Sequence, residues 1–167
     1  MGTERTGAPK PDDRVCRALV DAPVPLGRTL ARMARLVDAA LADCGLSAGQ
    51  YRALCFLADE QVAAAASRMA EKLAVSRPTI TALVDGLVAK GWVERRMDDD
   101  DRRRVDHLLT KAGRRALARA DRAVDQRLAA FAAPLDEAEL VTAIDGIGCW
   151  NAALDRTRLT RFGGAGP

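Results

Sequence analysis

A chain of 167 residues with a formal net charge of +3 and 49% hydrophobic residues is one domain's worth of polypeptide, long enough for a real core. No apolar run approaches the roughly 18 residues of a membrane span, and Met1 to Lys10 lacks the hydrophobic region of a signal peptide, so a cytoplasmic protein is expected. Cys16, Cys44, Cys55 and Cys149 lie far apart without metal-ligand spacing, the single His107 has no nucleophile near it in sequence, and no phosphate-binding glycine loop is present; neither catalysis nor a metal or other cofactor is expected.

Residues 1–22 read as a flexible, polar N-terminal segment, after which Pro23 and Pro25 break the chain. A helix over Leu26–Asp43 places Leu26, Leu30, Met33, Val37 and Leu41 on one stripe and ends at Gly45. Leu46-Ser47-x-x-Gln50-Tyr51 combines a capping box with a hydrophobic staple, so the next helix begins at Ala48 and ends near Asp59. Gln61 to Ala66 form a soft, alanine-rich connection.

A short helix over Arg68–Leu73, with Ser67 as N-cap, turns its Met69, Ala70 and Leu73 inward. Ala74 and Val75 make a turn, and Ser76 caps a second helix in which Pro78 costs little because first-turn N–H groups have no intrahelical partner. Ile80, Leu83, Val84, Leu87 and Val88 form its core stripe. The opposite face carries Pro78, Ala82, Asp85, Gly86 and Ala89, flanked by Thr79 and Thr81, with Arg77 at the N-terminal end. Lys90-Gly91 stops the helix. Trp92–Met97 and Val105–Leu109 then read as two strands joined by a charged tip, Asp98 to Arg104.

Thr110 caps a long helix through about Phe131, with Leu117, Val124, Leu128 and Phe131 close to a heptad register. Pro134 stops it. Leu135-Asp136-x-x-Glu139-Leu140 repeats the cap and staple, and the last helix presents Leu140, Ile144, Ile147 and Leu154, with Gly146 and Gly148 placed to loosen it.

A helix entering a major groove by its N-terminus would offer hydroxyls and one guanidinium to bases and phosphates, and an arginine at a hairpin tip suits a minor groove. An ordinary surface helix beside a solvated loop accounts for either feature alone. Asp101 and Arg103 share a side of the chain, so the carboxylate can hold the guanidinium in one pose. The adjacent acidic residues lack the spacing and turn glycine of a calcium loop. Between Arg68 and Arg115 there are 12 Lys and Arg against 8 Asp and Glu, a local +4 that leaves −1 for the rest; the positive charge sits where this reading puts DNA.

Leu46–Leu54, Met69–Thr81, Gly91-Trp92-Val93-Glu94-Arg95, Asp101-x-Arg103 and Leu109-Thr110-x-x-Gly113, in unbroken order, resemble the MarR family of winged-helix regulators. The resemblance implies a mainly α fold with a small β-hairpin wing: a winged helix-turn-helix over 46–110, dimerisation helices over 23–45 and 111–158, and a flexible tail over 159–167. It also implies a homodimer that binds double-stranded DNA at a pseudo-palindromic operator, commonly as a repressor released by a small-molecule effector or by oxidation. Ser76, Arg77, Pro78, Thr79 and Thr81 fall on the recognition helix, Asp101 and Arg103 on the wing, and Arg95, Arg102 and Arg104 are further DNA-contact candidates.

Many members carry Arg or Lys where this chain has Ala82 and Gly86, which shifts specificity toward Arg77, Thr79, Thr81 and DNA shape. The family's effector pocket lies between the dimer helices and the winged domain, with Met33, Val37, Tyr51 and Trp150 as lining candidates and plain core as the alternative for each. Cys16-Arg17-Ala18-Leu19-Val20 echoes a peroxide-sensing branch, but about two helical turns too early, so Cys16 is not expected to be a redox switch. Two other readings stay open: a thiol-based regulator, and a winged-helix protein working mainly through protein contacts.

Overall fold

In the computed structural model the described residues are 17, 19, 21, 24–60, 64–97 and 105–162, with side chains described as far as residue 156. Among them are six helices, α1 (Leu26–Asp43), α2 (Ala48–Glu60), α3 (Ala66–Leu73), α4 (Arg77–Ala89), α5 (Lys111–Ala132) and α6 (Glu137–Phe162), and three short strands, β1 (Ala64–Ala65), β2 (Val93–Met97) and β3 (Val105–Leu109). The strands form an antiparallel sheet in the order β1-β3-β2, with Val93 opposite Leu109, Arg95 opposite His107, and Ala64 opposite His107 on its other side. This is a winged helix-turn-helix, mainly α. The chain divides into two units, residues 1–124 and 125–167.

The core of the first unit is built from α2, α3, α4 and the sheet. Leu54, Met69, Ile80 and Leu87 are wholly buried, each contributing about 1.5–3 kcal/mol relative to exposure. Along α4 the buried positions are Ile80, Val84 and Leu87, while Leu83 and Val88 are half-buried at the margins of the stripe. The α2 capping box forms as the sequence dictates: Ser47 Oγ accepts from Gln50 N at 3.2 Å and Gln50 Oε1 from Ser47 N at 3.4 Å. It recurs at α6, where Asp136 and Glu139 exchange the same pair of bonds at 2.9 and 3.0 Å.

Several expectations are corrected. The alanine-rich connection contains a strand: Ala64 and Ala65 pair with His107 and Asp106, which no β-branched residue announces. The chain passes from that strand directly into α3, so Ala65 rather than Ser67 is the N-cap, with no side-chain cap bond. The α1 stripe, expected to serve dimerisation, is mostly open in the single chain: only Ala40 and Leu41 are buried and Leu30 is 57% exposed. On α5 the buried positions are Gly113, Ala116, Ala120 and Val124; Leu117 and Leu128 are half-buried and Phe131 is exposed. Small side chains allow close approach there, and they do not register in a search for large apolar residues. The last helix runs unbroken through Gly146 and Gly148 to Phe162, beyond the expected end at residue 158.

The junction of wing and α5 is the tightest in the first unit. Thr110 N donates to Trp92 O at 3.0 Å, Thr110 Oγ1 donates to Gly91 O at 2.8 Å, and the same oxygen accepts from Gly113 N at 3.0 Å. A Cβ at Gly113 would stand 2.1 Å from the Trp92 carbonyl oxygen and 2.7 Å from Leu109 Cδ1. Neither the backbone nor the wing strand behind it can yield cheaply. Gly113→Ala is therefore expected to destabilise the protein by about 1–3 kcal/mol despite alanine's better helix propensity, read as a lower urea midpoint with an unchanged m-value.

Candidate nucleic-acid interface

The turn between α3 and α4 depends on Ala74, which adopts a left-handed conformation (φ 54°) and lets Ala74 N and Val75 N bond back to Glu71 O and Ala70 O at 3.1 and 3.0 Å. Arg52 on α2 donates to the Leu73 carbonyl at 2.7 Å, placing a cation at the C-terminus of α3. Sequence pattern did not single out Arg52, because it satisfies a backbone group far along the chain.

At the start of α4, Ser76 is the N-cap: its Oγ accepts from Thr79 N at 3.2 Å and lies 2.7 Å from Thr79 Oγ1. Thr81 Oγ1 donates to Arg77 O at 2.9 Å. Ser76, Arg77, Pro78, Thr79, Thr81 and Ala82 are all exposed. The structure thus brings the five helix residues into one open N-terminal end, with their hydroxyls already engaged in shaping it.

Arg95, on β2, forms an ion pair with Asp85 of α4. Both side chains are about half exposed, so the pair is worth at most about 1 kcal/mol; its larger consequence is that it links the helix to the wing strand and compensates a carboxylate on the outer side of α4. Gly86 is corrected from the free face. It is half-buried, and a Cβ there would lie 2.7 Å from Gln50 Nε2. Gln50 is itself held by Lys90, whose Nζ donates to Gln50 Oε1 at 3.1 Å and to Gly45 O at 2.5 Å and sits 5.0 Å from the Trp92 ring centroid. Position 86 therefore belongs to the contact between α2 and α4, and a long basic side chain would displace Gln50.

The described strands of the wing end at the Met97–Val105 pair. Asp101, Arg102, Arg103 and Arg104 lie outside the described residues, as does Cys16. Of the effector candidates, Met33 and Val37 are half-buried about one turn apart on α1, and Trp150 is 53% exposed on α6 in the second unit. Tyr51 instead donates to Asp121 Oδ1 of α5 at 2.7 Å. Burial, reinforced by this bond to a carboxylate, raises the Tyr51 pKa above the usual phenol range, and burial pushes the Cys55 thiol up as well. A thiol held protonated in this way is a poor nucleophile.

Beneath the wing, His107 is buried with Nδ1 3.2 Å from Ala64 O. The carbonyl can only accept, so Nδ1 carries the proton and donates. Burial lowers the His107 pKa, with Arg95 adding to the effect; the bond to Ala64 and the charges of Asp106 and Asp85 oppose it.

The protein-family model that this chain matches is that of the MarR family, over residues 46–105, the segment from the α2 cap to the start of β3. Residues 46–105 thus carry a MarR-family domain. The chain is 32% identical over 87 residues to the HTH-type transcriptional repressor YetL of Bacillus subtilis, an alignment covering 52% of each protein. It is 33% identical over 96 residues to the multiple antibiotic resistance protein MarR of Escherichia coli, covering 54% of this chain and 65% of MarR. The chain thus spans about half to two thirds of the length of these relatives. The apo crystal structure of E. coli MarR superposes with a TM-score of 0.66 at 26% identity, covering 77% of this chain and 97% of MarR. CouR from Rhodococcus jostii RHA1, crystallised with p-coumaroyl-CoA, superposes with a TM-score of 0.60 at 25% identity, covering 78% and 92% of the two chains.

The buried histidine makes the MarR domain's stability pH-dependent. The folded pKa lies below the ordinary 6.5, so the unfolded chain takes up its proton first as the pH falls. Stability is expected to be full above about pH 6.5 and to decline toward the lower folded value, by no more than about 1.4 kcal/mol per pH unit for one proton. Urea midpoints measured from about pH 7.5 to about pH 5.5 should show this decline in the wild type and lose it in His107→Gln, which keeps a donor for Ala64 without titrating in that range.

Proposed function

We propose that this chain is a transcriptional regulator that binds a pseudo-palindromic operator as a homodimer, represses transcription there, and is released by a small-molecule effector. The observation that carries the reading is the open N-terminal end of α4, with Arg77 exposed beside capped hydroxyls and the β2–β3 hairpin alongside, in a MarR-family domain. That arrangement suits insertion of α4 into a major groove, with the hairpin over the flanking backbone. Repression is the activity named for YetL, and a bound acyl-CoA is what CouR displays; both come to this chain by analogy.

The dimer is supported by the second unit. Val141, Ile144, Ile147, Trp150 and Leu154 of α6 are each more than half exposed, an apolar display that a monomeric soluble protein rarely leaves open. Burial against a second copy about a two-fold axis resolves it, and pairs two α4 helices for two half-sites. The raised thiol of Cys55 speaks against a redox trigger at that residue.

The test is selection of bound duplexes from a random DNA pool, followed by anisotropy titration. Arg77→Ala and Arg103→Ala are each expected to weaken binding by about 1–3 kcal/mol with dimerisation unchanged in sedimentation equilibrium. Failure to enrich any inverted repeat, or wild-type affinity in both variants, overturns the reading.

A further inference from the structure

The hydroxyls that a recognition helix ordinarily offers to bases are, on α4, each already held in a hydrogen bond within the protein. Ser76 Oγ accepts the Thr79 amide and is paired with Thr79 Oγ1 at 2.7 Å; Thr81 Oγ1 is given to the Arg77 carbonyl at 2.9 Å. Asp85, the one acidic side chain on the exposed part of the helix, is paired with Arg95 and so is poorly placed to accept from a cytosine amino group. Gly86 faces Gln50 rather than outward. What the outer surface of α4 presents besides the Asp85–Arg95 pair is apolar and small: Pro78, Ala82 and Ala89 are exposed on one stripe, beside Thr81, whose hydroxyl hydrogen is given to the Arg77 carbonyl.

From this we propose that α4 reads its half-site through thymine 5-methyl groups, with Pro78 and Ala82 as the specificity-determining residues and Arg77 as the charged contact at the N-terminal end. The thymine methyl is the one apolar group that a base pair displays in the major groove, and alanine-sized side chains let the helix approach closely enough to touch it. Pro78 and Ala82 are one turn apart, about 6 Å along the axis, against about 3.4 Å per base-pair step. The stripe therefore matches thymines on the order of two steps apart. Donor-poor helices of this kind discriminate against G·C pairs at those steps without making a hydrogen bond to the A·T pair they accept.

The inference rests on the operator-binding reading, and its experiment separates the two. The full chain is titrated against its selected duplex and against duplexes in which each thymine in turn is replaced by deoxyuridine, which removes the methyl and alters no hydrogen-bonding group. One or two positions per half-site are expected to lose about four-fold in affinity, the change for one methyl-sized apolar contact. In Ala82→Gly the thymine preference at one of these positions should fall within two-fold while the others persist. The wild-type series is decisive by itself should that variant fold poorly. A duplex bound sequence-selectively with no uracil penalty above two-fold at any position overturns the methyl reading and leaves the regulator reading standing. A thymine preference unchanged in Ala82→Gly overturns the assignment to Ala82. Absence of any sequence-selective binding is the failure of the regulator reading, and the methyl reading falls with it.

Discussion

The carbonyl of Trp92 is where α4, the wing and α5 meet. The Trp92 N–H closes onto Leu87 O at the end of α4, its carbonyl receives Thr110, and Gly113 lies against that carbonyl with no room for a side chain. Thr110 serves two structures with one hydroxyl, donating to the wing base and accepting from the first turn of α5. The orientation of α4 relative to the hairpin is consequently set largely by backbone atoms, which have no rotamers to change. Gly91, in the left-handed conformation (φ 67°), makes the sharp exit from α4 that brings Trp92 there.

Small residues are used on both sides of this junction, for different purposes. Inside, Ala53, Ala64, Ala70, Ala116 and Ala120 are buried, so helices and strands approach closely and each van der Waals contact counts. Outside, Pro78 and Ala82 keep the surface of α4 low. Charged groups around the helix do positional work instead: Arg52 holds the end of α3, Lys90 holds Gln50 and Gly45, and Arg95 holds Asp85. These three side chains around α4 are thus engaged within the protein rather than left free.

The bond from Tyr51 to Asp121 ties α2 to α5 within the first unit. It is a partly buried, charge-assisted hydrogen bond, stronger than a neutral pair and costly to leave half-made. A change in how α5 sits against α2 has to break or carry this bond.

Local chemistry was enough to locate most of the winged domain. Ser47 with Gln50, Ser76 before Pro78, Gly45, Gly91 and the Asp136 box each act within four or five residues, so their consequences could be read directly from spacing. The exposed residues Ser76, Arg77, Pro78, Thr79 and Thr81 were legible for the same reason, since the core stripe of α4 fixes the opposite face. Whatever depends on a distant partner was not. Ala64 and Ala65 become a strand because β3 offers them an edge, and Gly86 turns inward because Gln50, 36 residues earlier, comes to lie over it. The buried register of α5 opens on Gly113 because the Trp92 carbonyl and Leu109 leave no space there for a side chain. Arg95 was read as a DNA contact from its charge, and only the approach of α4 to β2 gave it Asp85. Sequence spacing determines caps, turns and faces, where the interacting atoms are covalent neighbours; the partners of long side chains and the places where backbones touch were decided by tertiary packing, because those atoms meet only once the chain has folded.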